Sequence, residues 1–217
     1  AVFKWPRGHA KSTHMDIFVP LWLMFQDMPL IHFMVIVGKA EDSAIRLLSD
    51  IQAELEYNKR LISDFGEQKS IGSWLAGEFK TQSGIKFLGC GRGQSPRGLR
   101  GRESRPDYIV IDDLDDDELC RNERRVREMT EWVTSALFGA LDVGRGRFIM
   151  VGNLISKTSV LAEISKKKGV HLSTIYAVDK DGNPVWKEKW TKEEAQEYAE
   201  FVGYRSWNKE MMHNPIT

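Results

Sequence analysis

The stretch AVFKWPRGHAKST, residues 1 to 13, decides the fold of this chain. Its first five residues form an apolar run typical of a β-strand, and the next residues favour a tight turn. A helix is predicted from Ser12 to about Gln26, and the apolar run from His32 to Gly38 predicts the next strand. A strand, loop, helix and strand in this order predict a unit of parallel α/β structure.

The rest of the chain continues this alternation of strands and amphipathic helices. A capping box formed by Thr191 and Glu194 marks the start of the last helix. The sequence therefore predicts an α/β fold with a mostly parallel central sheet flanked by helices. The predicted helices cover about 41–64, 119–137 and 191–201, and the predicted strands cover 78–81, 85–91, 108–112, 147–153 and 170–178.

The turn before the first helix has the features of a phosphate-binding loop, and we call residues 6–13 the phosphate loop. Such a loop needs backbone amides that face the phosphates and a helix N-terminus with positive potential. Lys11 would reach the β- and γ-phosphates, Ser12 would place its hydroxyl on Mg²⁺, and Gly8 would permit the turn. An ordinary strand-turn-helix is the alternative, since Trp5 and Ala10 replace the motif's two glycines. The predicted nucleotide-contacting residues are Pro6, Arg7, Gly8, His9, Ala10, Lys11, Ser12 and Thr13.

Two carboxylates, Asp112 and Asp113, lie at the carboxyl end of the predicted strand YIVID. Asp112 is placed to hold Mg²⁺, and Asp113 is placed to polarise an attacking water. A solvated acidic turn is the alternative for the run DDLDDDE. Together with the phosphate loop, however, the acidic pair predicts a nucleoside triphosphatase.

Composition limits the classes of protein to which the chain can belong. Its 217 residues suffice for one substantial core, so a single domain is expected. The 31 basic and 31 acidic residues cancel, so any affinity for nucleic acid must come from local clusters. The two cysteines and five histidines lack the spacing of metal ligands. No uninterrupted apolar stretch or signal peptide is seen, which predicts a soluble protein with no membrane partner.

Three motifs resemble, in their order and their amino-acid sequence, those of the large terminase subunits of tailed bacteriophages. They are Trp5 to Thr13, Gly98 to Asp113, and Val151 to Asn153. In that family the phosphate loop often reads P-R-G-x-G-K-S, and this chain has PRGHAKS. The later segment SWNKEMMHNP also resembles the aromatic-x-x-E…P segment that closes the family's ATPase domain.

The resemblance implies roles for individual residues. Arg7 would stabilise charge on the transferred phosphoryl group, although a loop arginine bonded to backbone carbonyls is an equal alternative. Asn153 would sense the γ-phosphate. The catalytic base would be Asp113 or one of residues 115–118. The family's arginine-containing loop corresponds to Arg97, Arg100 and Arg102, which with Arg92 and Arg105 would contact DNA or a neighbouring subunit, or form a solvated loop.

For the whole chain, the resemblance implies a P-loop NTPase of the ASCE, RecA-like type in one ATPase domain over residues 1–217. Such a domain would use ATP and Mg²⁺ to move double-stranded viral DNA into a procapsid in the host cytoplasm. Expected partners are the DNA, the portal and procapsid, the small terminase subunit and further copies in a ring. The chain is expected to begin after the adenine-binding segment and to end before a nuclease domain.

Three other functions remain open from the sequence. A superfamily-2 helicase shares both motifs but normally has D-E-x-[DH] where this chain has Asp112-Asp113-Leu114-Asp115. A non-enzymatic DNA- or capsid-binding module would use the basic loop alone. A small-molecule kinase would need an acceptor site and a lid that the sequence does not indicate.

Overall fold

A computed structural model describes residues 1–94 and 104–216 and confirms the predicted α/β alternation. Eight strands are found in the described ranges: β1 (Val2–Lys4), β2 (Phe33–Gly38), β3 (Lys69–Leu75), β4 (Glu78–Thr81), β5 (Lys86–Gly91), β6 (Tyr108–Asp112), β7 (Arg147–Gly152) and β8 (Leu172–Thr174). They form one mixed, mostly parallel sheet in the order β3-β4-β5-β2-β6-β7-β1-β8.

The helices are α1 (Val19–Met24), α2 (Glu41–Tyr57), α3 (Lys59–Phe65), α4 (Asp117–Cys120), α5 (Glu123–Glu131), α6 (Phe138–Ala140), α7 (Val160–Ser165) and α8 (Lys192–Glu210). Two π-helical segments, Thr13–Phe18 and Trp132–Leu137, lead into α1 and α6. In the described parts of the chain, no helix is both long and apolar enough to cross a bilayer.

The chain divides into two compact units. The first comprises Ala1–Lys11, Asp115–Thr130 and Met150–Thr217, and the second comprises Ser12–Leu114 and Glu131–Ile149. Strand β7 contributes to both, because the chain passes from the second unit to the first within this strand.

The second unit is built around β2, which pairs in parallel with β5 and β6. All six residues of β2 are buried, which explains why its sequence is continuously apolar rather than alternating. Helix α2 packs on β2 and β5, and its buried residues recur at three- and four-residue steps. Strands β3 and β4 extend this side of the sheet by antiparallel pairing.

The first unit is built around β1, which pairs in parallel with β7 and β8. Phe3 lies opposite Val151 on one side and Ser173 on the other. Helix α7 packs against β1 with Val160 and Leu161 fully or almost fully buried. The carboxyl ends of β1 and β7 therefore lie side by side, since Lys4 pairs with Gly152 at the ends of the two strands.

The prediction of a single helix over 41–64 is wrong in one respect, because Asn58 divides this segment into α2 and α3. Asn58 has an extended backbone (φ −73°, ψ 101°), and its Oδ1 accepts hydrogen bonds from the amides of Arg60 and Leu61. Asparagine competes for backbone hydrogen bonds in this way and thereby starts α3.

Other boundaries also differ from the prediction. Strand β3 was not predicted, because its exposed side chains break the alternation of polar and apolar residues. The helix predicted over 119–137 is interrupted between α4 and α5 and then continues to Ala140. The capping box at Thr191 is confirmed, but the helix extends past Phe201 to Glu210 with a kink at Gly203. Strand β8 is much shorter than predicted.

Candidate functional site

The phosphate loop bends through two residues with left-handed backbone conformations. Gly8 has φ +73° and Ala10 has φ +57°. Glycine adopts this region freely, whereas a Cβ makes it costly for any other residue. Ala10 occupies the position at which large terminase subunits often have glycine. The left-handed backbone explains the preference for glycine there. The loop turn is closed by a hydrogen bond from the amide of His9 to the carbonyl of Pro6 at 3.2 Å.

The segment Trp186 to Trp190 contacts the phosphate loop. The Nζ of Lys189 donates a hydrogen bond to the carbonyl oxygen of Gly8. The same ammonium lies 5.2 Å from the ring centroid of Trp186 and 5.6 Å from that of Trp190, within the range of cation–π attraction. Lys189 is not among the residues predicted from sequence, because nothing in the run WKEKW indicates contact with a residue 181 positions earlier.

His9 is buried against the same segment. Its ring lies edge-on to Trp186 with 5.8 Å between centroids, and its Nδ1 is 3.2 Å from the carbonyl oxygen of Arg7. Burial lowers the pKa of His9, and the charges of Lys189 and Lys11 lower it further against the opposing effect of the Arg7 carbonyl. The imidazole is therefore neutral at pH 7 and contributes packing rather than charge.

Lys11 and Ser12 follow the bend at the start of helical backbone. The side chain of Lys11 is buried, with 7% of the residue exposed, which is unusual for lysine and fits a charge that meets an anion. Ser12 has helical dihedral angles (φ −65°, ψ −45°), and Thr13 opens the π-helical segment. The predicted order of strand, tight turn and helix is thus confirmed, while nucleotide contact by these residues stays a prediction.

Arg7 and Asn153 both contact one residue, Glu210, at the end of α8. The backbone amide of Arg7 donates to the Glu210 carbonyl at 3.1 Å, and the Arg7 Nε lies 3.5 Å from Glu210 Oε2. The amide nitrogen of Asn153 donates to the same Oε2 at 2.7 Å. Glu210 lies within the closing segment SWNKEMMHNP, and no sequence motif assigns it to the site.

Asn153 lies directly after β7 and is 7% exposed. Its Oδ1 has no hydrogen-bond partner among the residues of 1–94 and 104–216. A carboxylate only accepts hydrogen bonds, so the atom that faces Glu210 has to be the Nδ2 of Asn153. The orientation of the amide is thereby fixed, and an acceptor oxygen is left for another donor.

The acidic pair lies in the second unit. Asp112 is the last residue of β6 and is 5% exposed. Asp113 is exposed and has φ +43°, a left-handed conformation that is uncommon outside glycine. Strained backbone of this kind is frequent at functional sites, where surrounding structure maintains it.

Each of the four later acids has a structural partner. Asp115 accepts from the amides of α7, and Asp116 caps α4 through the amide of Leu119 at 2.8 Å. Asp117 lies 2.6 Å from Lys209, and Glu118 lies 2.9 Å from Arg125. These contacts give residues 115–118 structural roles, and the identity of the catalytic base stays a prediction.

The residues proposed to bind Mg²⁺ offer suitable atoms. The Ser12 hydroxyl and the Asp112 carboxylate belong to the same unit and are hard oxygen donors, which Mg²⁺ prefers. No group of three or more His, Cys, Asp or Glu residues suited to a metal occurs within the described ranges. This is compatible with Mg²⁺, which commonly takes one or two protein ligands together with substrate phosphates and water.

The arginines predicted to contact DNA or a neighbouring subunit, Arg97, Arg100 and Arg102, lie outside the described residues. One arginine on each side of them, Arg92 and Arg105, donates to a backbone carbonyl. Arg92 Nη1 donates to Leu114 at 3.2 Å, and Arg105 Nη1 donates to Gly139 at 3.4 Å. Both flanking arginines thus have structural roles in the second unit.

No family model and no curated protein sequence matches this chain. Solved structures do match it. The large terminase ATPase domain of Thermus phage P74-26 aligns with a TM-score of 0.62 at 15% identity, covering 99% of this chain and 88% of that domain. The large terminase of another thermophilic bacteriophage aligns with a TM-score of 0.59 at 13% identity, covering 97% of this chain and 47% of that protein.

The Phi-28 gp11 DNA packaging motor aligns with a TM-score of 0.51 at 11% identity, covering 100% of this chain and 65% of that protein. The second thermophilic-phage large terminase has also been solved in complex with ADP. The chain therefore has the fold of phage large terminase ATPase domains, and it spans about half the length of that second large terminase.

Proposed function

We propose that this chain is the ATP-hydrolysing motor domain of a phage large terminase. The observation that carries the proposal is the match of 99% of the chain to an isolated large terminase ATPase domain. The left-handed bend at Gly8 and Ala10, between strand β1 and a helix, independently supports a phosphate loop. The ADP complex of the second thermophilic-phage large terminase supports a nucleotide as ligand.

Each predicted residue receives a role in this proposal. Backbone amides of the phosphate loop and the ammonium of Lys11 bind the phosphates, and Arg7 adds positive charge. Asp113 accepts a proton from the attacking water, and Asn153 contacts the γ-phosphate end of the nucleotide. Ser12 and Asp112 would hold Mg²⁺, which neutralises phosphate charge when bound.

We further propose that ATP turnover moves double-stranded DNA into a procapsid in the host cytoplasm. The name of the Phi-28 structure, a DNA packaging motor, supports this step. The portal, the small terminase subunit and neighbouring copies in a ring are the proposed partners. The loop with Arg97, Arg100 and Arg102 is proposed to contact DNA or the neighbouring subunit. Residues 1–217 would then act as one ATPase domain.

Steady-state phosphate release with Mg²⁺ tests the proposal, with and without double-stranded DNA. Lys11→Ala and Asp112→Asn are expected to lower turnover by about 100-fold or more, because the first removes the ammonium that binds the phosphates and the second weakens the site that would hold Mg²⁺. Lys59→Ala and Asp64→Asn, on exposed residues of α3, serve as matched controls and should keep wild-type turnover. Activity that survives the first two changes, or a wild-type chain that does not bind ATP, would reject the proposal.

A further inference from the structure

Glu210 connects two motifs that lie far apart in the sequence. Its backbone carbonyl accepts from the Arg7 amide, and its Oε2 accepts from Asn153. The Arg7 side chain is 71% exposed, so its ion pair with Glu210 is largely screened by water. The contact that matters is therefore the 2.7 Å hydrogen bond to the buried Asn153.

This hydrogen bond determines the chemistry that Asn153 offers. Since Glu210 occupies an N–H of the amide, Oδ1 is directed elsewhere as an acceptor, and it is buried without a partner among the described residues. A buried acceptor of this kind requires a donor when the site is filled. Nucleotide phosphate oxygens are acceptors at neutral pH, so the donor cannot be the phosphate itself.

The position of Asn153 indicates which donor it meets. It follows β7 at the carboxyl end of the sheet, where β7 pairs in register with β1 and β1 leads into the phosphate loop. The proposed function assigns the Lys11 ammonium, Arg7 and the amides of the phosphate loop to the phosphate oxygens, which leaves water as the donor for Oδ1 at the γ-phosphate end. We propose that Glu210 is a positioning residue, which orients Asn153 so that Oδ1 accepts a hydrogen bond from the water that attacks the γ-phosphate. The inference rests on the proposed ATPase function.

Kinetics of Glu210 variants test this role. Glu210→Ala frees the Asn153 amide, and kcat is expected to fall at least about 10-fold while KM and the equilibrium Kd for ATP stay within about twofold, since water rather than phosphate loses its partner. Glu210→Gln keeps an acceptor oxygen for Nδ2 and should restore kcat to within about threefold of wild type. Asn153→Ala combined with Glu210→Ala should be no slower than Asn153→Ala alone.

Three controls separate this role from other effects. Glu197→Ala changes an exposed glutamate of the same helix and should match wild type. Repeating Glu210→Ala in an Arg7→Ala background should give the same fall in kcat, because the Arg7 pair is not its cause. Thermal unfolding of every variant shows whether the fold is retained.

The outcomes also separate this inference from the proposed function. If Glu210→Ala behaves like Glu197→Ala, or weakens ATP binding as Lys11→Ala does, the positioning role is wrong while the ATPase stands. Additive losses in the double variant would also overturn it. A wild-type chain that does not bind ATP would overturn both proposals.

Discussion

The carboxylate of Asp115 accepts a hydrogen bond from the backbone amide of Val160 at 2.9 Å. Its second oxygen accepts from Leu161, also at 2.9 Å, while the Ser159 hydroxyl caps Ala162. The orphan amides at the start of α7 are thus satisfied by a residue 45 positions away in the chain. Asp115→Ala would leave two amides of a buried helix unbonded, and we expect the free energy of unfolding to fall by about 2–3 kcal/mol.

Urea unfolding at pH 7 measures this loss. Asp117→Ala is the matched control, since it removes a neighbouring aspartate whose partner is Lys209 at the surface. That change should cost less than about 1 kcal/mol, as exposed ion pairs do. Equal losses for the two variants would contradict the capping role of Asp115.

The left-handed backbone at Ala10 predicts the effects of two substitutions. Glycine avoids a Cβ penalty of about 1–2 kcal/mol at this φ. Its greater freedom in the unfolded chain offsets part of this gain, so Ala10→Gly should raise the free energy of unfolding by up to about 1 kcal/mol. Ala10→Val should lower it by at least about 1 kcal/mol, because a β-branched residue fits this region worse. Denaturant unfolding of both variants tests the order glycine, alanine, valine; valine equal to alanine would exclude the bend.

The secondary structure could be predicted where local patterns of apolar residues determine it. It could not be predicted where contacts between residues distant in the sequence determine it. Strands such as β2 and β6 were predicted because full burial requires a continuous apolar run. Strand β3 was not, since it relies on pairing with β4 and leaves Ile71 fully exposed. The break at Asn58 was missed because the apolar spacing of α2 gives no sign of a competing side-chain cap.

The same division applies to the candidate site. The positions of Lys11 after β1 and of Asp112 at the end of β6 follow from short motifs, which can be recognised in the sequence. The contacts of Lys189 with Gly8 and of Glu210 with Asn153 join residues that only the folded chain brings together. These two contacts produce no periodic pattern or characteristic spacing in the sequence, so a single sequence could not have indicated them.

The contact of Lys189 with the phosphate loop predicts an effect on nucleotide binding. Lys189→Met keeps most of the side chain but removes the hydrogen bond to the Gly8 carbonyl. The loop would lose an anchor worth about 1 kcal/mol, and we expect the Kd for ATP to rise about three- to tenfold. Lys187→Met, on an exposed lysine of the same segment, is the control for lost charge. Equal Kd values for the two variants would show that charge, not the anchor, matters.

His213 predicts a pH dependence of stability. It is 8% exposed; its Nδ1 accepts from the Leu154 amide at 3.3 Å, and its Nε2 lies 2.9 Å from the carbonyl oxygen of Ile175. The neutral ring with its proton on Nε2 satisfies both contacts, and a second proton would face an N–H group. Burial lowers the pKa of His213 to about 4, with smaller lowering effects from the charges of Lys4 and Lys11.

The direction of the effect follows from proton binding. The unfolded chain protonates this histidine near pH 6.5, whereas the folded chain does so only near pH 4. The folded state therefore binds fewer protons between these values, and its stability falls as the pH decreases from 6.5 to 4. The full loss from this group is roughly 3 kcal/mol.

His213→Gln removes the titrating group, so the decline in unfolding free energy between pH 6.5 and 4 should become shallower. At pH 7 the variant should be less stable than wild type, because glutamine does not reproduce both hydrogen bonds. Urea unfolding at pH 7, 5.5 and 4.5 measures both effects, and His171→Gln on an exposed side chain controls for the loss of a histidine. Parallel pH profiles for wild type and His213→Gln would mean that other groups cause the acid sensitivity, since the variant differs at this titrating position alone.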